Sequence, residues 1–172
     1  MLVAVIKGDS GFRNALGNTS APWMLVPFLA GALYTRVWRA AVMGVATTLA
    51  AFLGFYSAEA VILDLGEHPW YTGLKLTLGS GRIYETWGLA SGAVFGGLGG
   101  LWASRSLVAA PIAVSLAFIL EPLVLLYLWR AGIWAGGDEY FDYPLLCISE
   151  VVLGLAGIAY VLTKSHARSL SG

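Results

Sequence analysis

The segment from Glu85 to Ser104 carries a glycine at every fourth position, and this feature restricts the fold more than any other part of the sequence. The glycines of this row are Gly88, Gly92, Gly96 and Gly100. In water each interior glycine would cost a helix about 1 kcal/mol relative to alanine. Inside a bilayer no water competes for the backbone, so an apolar segment of this length satisfies its hydrogen bonds as a helix. The four glycines then form one face, the glycine face, which a second helix can approach closely.

Two roles are open for the glycine face. One is tight packing against another helix of the same chain, and the preceding apolar segment offers a row of small residues for it. That row consists of Ala46, Ala50, Gly54 and Ala58. The other role is docking of a partner membrane protein or of a second copy of this chain.

The composition indicates a membrane protein. Of the 172 residues, 58% are hydrophobic and 12% are charged, and that charged fraction is about half of what a soluble domain carries. Seven tryptophans and eight tyrosines suit a protein anchored at two membrane–water interfaces. The formal net charge is zero, so the chain lacks the basic surface that nucleic acid requires. The single cysteine, Cys147, excludes an intramolecular disulfide and a multi-cysteine metal site.

We therefore predict an all-α fold, in which residues 1–172 form one integral membrane helical bundle with five transmembrane helices and the lipid bilayer as its surroundings. The predicted spans are residues 21–34, 40–63, 85–104, 107–129 and 143–163. The first is short, because a bilayer needs about 20 apolar residues. Pro27 lies inside it, so we expect a kinked or tilted helix there.

Basic residues beside the spans predict the orientation. They follow the first, third and fifth spans as Arg36, Arg39, Arg105, Lys164 and Arg168. The positive-inside rule then places the C-terminus in the cytoplasm. Lys7 and Arg13 fall on the opposite side, against the rule. A further helix upstream, of which Met1–Ile6 would be the end, would remove this disagreement and give six helices.

Three glutamates lie in the interior of predicted spans: Glu59, Glu121 and Glu150. A charged carboxylate at membrane depth costs at least a few kcal/mol, so such residues face the bundle interior or a cavity. Counted from the outer ends of their spans, they lie roughly 7–12 Å deep at 1.5 Å per residue. The spans contain no lysine, arginine or histidine to pair with them. The sequence thus predicts one layer of acids in the outer half of the membrane.

Acids that share one dry layer repel, so either at least one is protonated or a cation neutralises them. Tyr56 and Tyr127 are further candidates for this site, because they can hydrogen-bond the acids or present a ring face to a cation. One alternative is that protonated glutamates bond to hydroxyl or backbone groups and join the helices. Another is that the acids face a partner or lie nearer the interface. The sequence does not identify a metal.

Several chemistries are excluded by the sequence. The two histidines, His68 and His166, lie outside the spans, so a bis-histidine haem within the membrane is ruled out. The chain has no Walker motif, no G-x-S-x-G and no H-E-x-x-H. We expect no cofactor. An intramembrane enzyme ranks third among the functions, because neither a nucleophile nor a set of metal ligands accompanies the acids.

Two resemblances follow from these features. Gly17-Asn18, Pro22-Trp23 and Phe28-Leu29-Ala30-Gly31-Ala32 resemble the opening of an uncharacterised family of small actinobacterial polytopic membrane proteins. That resemblance implies a multi-pass protein of a bacterial plasma membrane, and it assigns no activity to the chain. The size, the glycine face, the cytoplasmic C-terminus and the outer polar layer are similar to the substrate-binding S components of energy-coupling-factor transporters. Those have six helices and bind vitamins or metal ions from outside. Neither resemblance assigns a functional residue here.

The leading functional prediction is binding, with translocation as a further step, of a small cationic or polar solute at the outer carboxylate site. The alternative is a non-catalytic accessory or assembly subunit of a larger membrane complex, held through the glycine face.

Overall fold

The computed structural model describes residue 19 and residues 21–63, 82–133 and 140–170. These residues form five helices: α1 (Ala21–Gly31), α2 (Val37–Leu63), α3 (Arg82–Arg105), α4 (Ala109–Arg130) and α5 (Pro144–Leu170). The described part of the chain contains no strand, so the prediction of an all-α fold is confirmed. Met1–Ile6, Lys7, Arg13 and most of the long polar connection after α2 lie outside the described residues.

Three of the helices are long and apolar enough to cross a membrane, through the segments Val37–Gly54, Ala109–Arg130 and Pro144–Lys164. α1 has only 11 residues, whereas a membrane span needs about 20. α3 has 24 residues, but its many glycines give it a less apolar sequence than the other long helices. The described helices are thus consistent with a membrane protein.

The end of α4 is fixed by backbone geometry. Gly132 adopts a φ of 70°, which glycine reaches without the steric cost that a side chain brings. Its N–H donates to the carbonyl of Trp129 at 2.9 Å, and the N–H of Ile133 donates to the carbonyl of Leu128 at 2.9 Å. This pair of bonds is the Schellman motif, which satisfies the last carbonyls and terminates the helix.

The helices form two groups. α3 packs against both α1 and α2, which also contact each other, while α4 packs mainly against α5. The two groups meet in an apolar cluster where Phe28 of α1 contacts Ala110, Val114 and Phe118 of α4. The Phe28 ring also stacks on Trp102 of α3, with centroids 5.7 Å apart.

The glycine face of α3 lies against α2 of the same chain. A Cβ added to Gly96 would lie 2.5 Å from the carbonyl oxygen of Ala40 and 2.8 Å from the Cα of Gly44. One added to Gly88 would collide with the ring of Phe52, and one added to Gly100 would lie 2.5 Å from the Cβ of Ala40. Because side chains are missing here, the backbones of α2 and α3 approach closely.

The row of α2 that meets the glycine face is not the predicted one. Ala40, Gly44, Thr48 and Phe52 make the contacts, whereas Ala46 and Ala50 of the predicted row are exposed. Two positions along a helix correspond to a rotation of about 200°, so the predicted row points away from α3. The pairing of helices was predicted correctly, but the face of α2 was wrong.

α1 joins the same contact from another side. A Cβ on Gly31 would collide with the backbone of Gly96, and one on Gly99 would collide with the carbonyl of Phe28. Gly31, Gly44 and Gly96 therefore form a junction where three helix backbones meet, which we call the three-glycine junction. The glycine face, for which the sequence also allowed a partner protein, is covered by α1 and α2 of the same chain.

Candidate carboxylate site between α4 and α5

The contacts of small residues set the register between α4 and α5. A Cβ added to Gly154 would lie 2.6 Å from both the carbonyl oxygen of Ser115 and the Cγ1 of Ile119. Nearer the start of α5, Leu146 packs in one cluster with Leu125 of α4. The two helices are antiparallel, so between these two contacts Glu150 lies opposite Glu121.

Both carboxyl groups are removed from the surface. The exposed fraction is 8% for Glu121 and 4% for Glu150, and the two groups are close enough for their charges to interact. Glu150 follows Pro144 by six residues and Glu121 precedes Arg130 by nine. At 1.5 Å per residue these positions are about 9 and 14 Å from that end of the helices. We call Glu121 and Glu150 the carboxyl pair.

Tyr140 supplies the third group of the site, from the segment that precedes α5. It is completely buried, and its hydroxyl donates a hydrogen bond of 2.5 Å to Oε2 of Glu150. The ring of Phe141 contacts Tyr140 edge-on at 5.0 Å and lies 5.4 Å from the ring of Trp129. Burial, the hydrogen bond to Glu150 and the charge of that carboxylate all raise the pKa of Tyr140. Tyr140 therefore remains a hydrogen-bond donor at physiological pH.

The other oxygen of Glu150 is unsatisfied. Oε1 is buried and has no hydrogen-bond partner within the part of the chain that the structure describes. Leaving a buried acceptor unpaired costs about 1–3 kcal/mol, and more if it is charged. The lysine and arginine side chains whose burial is described are all exposed; they are Arg36, Arg39, Arg105, Arg130 and Lys164. Oε1 is thus the open acceptor of the site.

Cys147 completes the surroundings of Tyr140. It is half-buried and packs against the cluster of Tyr140, Leu125 and Leu146. Among the described residues, no three His, Cys, Asp or Glu side chains converge as metal ligands. The site therefore offers two carboxyl groups, a hydroxyl and a thiol in an apolar setting, which suits the neutralisation of one positive charge.

The structure brings together two of the five predicted site residues, Glu121 and Glu150. Tyr127 is 69% exposed, because six positions after Glu121 it is rotated by about 240° around α4. Glu59 and Tyr56 lie near the end of α2, where their side chains fall outside the description. α2 itself packs against α1 and α3.

Two residues of the site were not predicted. Tyr140 falls between two predicted spans and Cys147 within an apolar one. Cys147 precedes Glu150 by three positions, and this interval recurs on one helix face, so spacing was an available signal for Cys147. Tyr140 precedes the start of α5 at Pro144, so helical spacing does not predict its contact with Glu150.

No protein-family model matches the chain, and no curated protein or solved structure matches it either. The two resemblances described from the sequence stay predictions.

Proposed function

We propose that the protein is a multi-pass membrane protein that binds a small cationic or polar solute between α4 and α5, at Glu121 and Glu150. The observation that carries this proposal is Oε1 of Glu150, a buried acceptor without a partner in the described residues beside a second buried carboxyl group. A positive charge that donates a hydrogen bond here would satisfy Oε1 and reduce the repulsion between the acids. Translocation of the solute is a further step of the same proposal.

The proposed arrangement in the membrane has five spans. These are the three long apolar helices α2, α4 and α5, together with α1 and α3. Arg36, Arg39, Arg105 and Lys164 are exposed and stand at the helix ends opposite to the carboxyl pair. The positive-inside rule assigns that end to the cytoplasm. The carboxyl pair then lies in the outer half of the membrane and receives its solute from outside. The resemblance to actinobacterial proteins suggests the plasma membrane of a bacterium.

The packing of α3 favours solute binding over the role of an accessory subunit. That alternative was motivated by a glycine face free to dock a partner. Gly92, Gly96 and Gly100 are buried by contacts with α2, so the same residues have no room for a second protein. A partner would have to bind another surface of the protein.

The test is a thermal unfolding screen of the purified protein in detergent. We would add ammonium, methylammonium, larger organic cations, alkali ions and divalent metal ions at neutral pH. A cation that binds only the folded state stabilises it by about 2.7 kcal/mol at a concentration one hundred times its dissociation constant. We expect a higher melting temperature with at least one of these cations.

Two variants assign that effect to the site. Glu150→Gln and Glu121→Gln keep the shape of the side chain but remove its charge, so each should abolish the ligand-induced increase. Asp142→Asn is the matched control, because Asp142 is an exposed acid at the same end of the helices. An increase that persists in Glu150→Gln would contradict the proposed site, and the absence of any stabilising cation would contradict the function.

A further inference from the structure

We propose that the carboxyl pair holds one proton when no solute is bound, that Tyr140 positions this proton by occupying Oε2 of Glu150, and that a bound cation displaces it. The last step rests on the proposed function, whereas the first two do not depend on it.

The burial of both acids is the first argument. Two ionised carboxylates at close range in a dry site repel each other, and each also loses its hydration. One proton lowers the charge of the pair from two negative charges to one and removes the repulsion. The proton belongs to the pair, because interacting acids titrate as a unit.

The hydrogen bonds of Glu150 are the second argument. Oε2 accepts the hydrogen of the Tyr140 hydroxyl, so that oxygen acts as an acceptor. A proton on Glu150 therefore belongs on Oε1, the oxygen that has no partner among the described residues. If the proton resides on Glu121 instead, Glu150 keeps its charge and Tyr140 stabilises it through a charge-assisted hydrogen bond. In both cases Tyr140 acts through Glu150 and is a positioning residue.

Within the described part of the chain, no lysine or arginine side chain is buried beside the pair. The neighbouring groups are Glu121 on α4, Tyr140 before α5, and Cys147 on α5 itself. Arg130 and Asp142, at the near end of the two helices, are exposed, as is Arg105 at the far end of α3. α1 carries no titratable side chain between its ends. The side chains of Arg82 and Glu85 on α3, and of Tyr56 and Glu59 on α2, lie outside the description.

The exchange balances in charge. The empty site contains two carboxyl groups and one proton, with a net charge of minus one. A monovalent cation binds, the proton leaves to the solvent, and two carboxylates with one cation again have a net charge of minus one. Since one proton is released for each cation bound, the apparent dissociation constant rises about tenfold for each pH unit below the titration of the pair.

Infrared difference spectroscopy of the cation-free protein at neutral pH tests the proton directly, because a protonated carboxyl group has a carbonyl stretch that shifts in D₂O. We expect this band in the wild type and its loss in Glu121→Gln and in Glu150→Gln. In either variant a neutral amide replaces one acid, and the remaining carboxylate ionises. Asp142→Asn should retain the band. A wild type without the band, or a band unchanged in both glutamine variants, would overturn the proposal.

Tyr140→Phe tests the positioning. It removes only the hydroxyl group, so the band should persist at a shifted frequency, a change that loss of packing alone does not produce. An unshifted band would overturn the role of Tyr140. Where Tyr140→Phe fails to fold, a change of the band on adding methylammonium to the wild type still reports on the pair.

Addition of methylammonium to the wild type tests the exchange and separates it from the proposed function. Loss of the band, with one proton released per cation bound, supports the exchange. Binding of methylammonium through Glu150 with an unchanged band would overturn the exchange and leave the solute-binding function standing. The band could be present in the wild type and absent in both glutamine variants while no cation stabilises the protein. This result would refute the proposed function but support the protonated carboxyl pair.

Discussion

Gly96→Ala is the most direct perturbation of the three-glycine junction, and the adjacent Gly97→Ala is its matched control. The two variants add the same methyl group to neighbouring positions of one helix. At Gly96 the new Cβ would lie 2.5 Å from the carbonyl oxygen of Ala40 and 2.8 Å from the Cα of Gly44. At Gly97 it would lie 3.9 Å from Cγ1 of Val37 and 4.0 Å from Cβ of Ala41, which is ordinary van der Waals contact.

The expected difference in stability follows from these distances. Carbon atoms pack best at about 3.5–4.0 Å, so α2 and α3 must separate by roughly 0.7–1.2 Å at Gly96, and a gap of about 0.5–1 Å already forfeits about a quarter to a half of the contact energy it affects. Overpacking of this kind costs about 1–3 kcal/mol. Both variants gain about 1 kcal/mol in helix propensity, and this gain cancels between them. Gly96→Ala should therefore be about 1–3 kcal/mol less stable than Gly97→Ala.

Thermal unfolding in the same detergent measures this difference. For a chain of this length 1 kcal/mol corresponds to about 2–4 °C, so Gly96→Ala should melt roughly 2–12 °C below Gly97→Ala. Equal melting temperatures, or a higher one for Gly96→Ala, would refute the close approach of the two backbones. Steric trapping in bicelles would provide the free energies without relying on heat.

Three further predictions concern the helix pair and the orientation. Gly154→Ala should destabilise the protein by about 1–3 kcal/mol in detergent unfolding, because its Cβ meets the backbone of Ser115, and more than Gly157→Ala, whose Cβ meets only the rotatable Ser115 side chain. Because the pKa of Tyr140 is raised in the folded state, its stabilising effect is complete below the unfolded value of about 10 and is lost as the pH rises above it. Between pH 8 and 11 the melting temperature should therefore fall more steeply in the wild type than in Tyr140→Phe. A reporter protein that works only in the cytoplasm should be active when it is fused after Lys164. If a reporter that works only outside the cytoplasm is active there instead, the proposed orientation is wrong.

The sequence predicted the helices better than the faces through which they pack. Apolar segments bounded by basic or polar residues indicate where a membrane helix begins and ends, and α2 starts at Val37 where residue 40 was expected. The face of α2 that packs against α3 could not be predicted in the same way, because Ala46 and Ala50 are about as small as Ala40 and Gly44. Small residues cost little when they face lipid, so a small-residue row alone does not identify the packed side.

The carboxyl pair was predicted in part for a related reason. Polarity at membrane depth singled out Glu121 and Glu150 as residues that must avoid lipid, and burial of a carboxylate is a strong constraint. The contribution of Tyr140 depends on the path of the chain between α4 and α5, which returns its hydroxyl to Glu150. Tyr127 has the right chemistry, but its position around α4 points it away from the pair, and its side chain is exposed. The depth of a residue in the membrane follows from its position along the helix. Whether two side chains meet depends on how each helix is rotated about its axis, which the position in the sequence does not give.

The location of the carboxyl pair within the two helix groups has a mechanical consequence. α1, α2 and α3 meet backbone to backbone at the three-glycine junction, where no side chain can change rotamer to absorb a movement. The acids lie instead between α4 and α5, about one helical turn from the contact of Gly154 with Ser115.

A cation that draws Glu121 and Glu150 together therefore acts first on the α4–α5 pair. That pair meets the other group through the apolar contacts of Phe28 with Val114 and Phe118, which are non-directional and tolerate sliding better than a hydrogen-bonded contact. If a cation binds as proposed, it should accordingly tighten α4 against α5 and shift both helices relative to α1, α2 and α3.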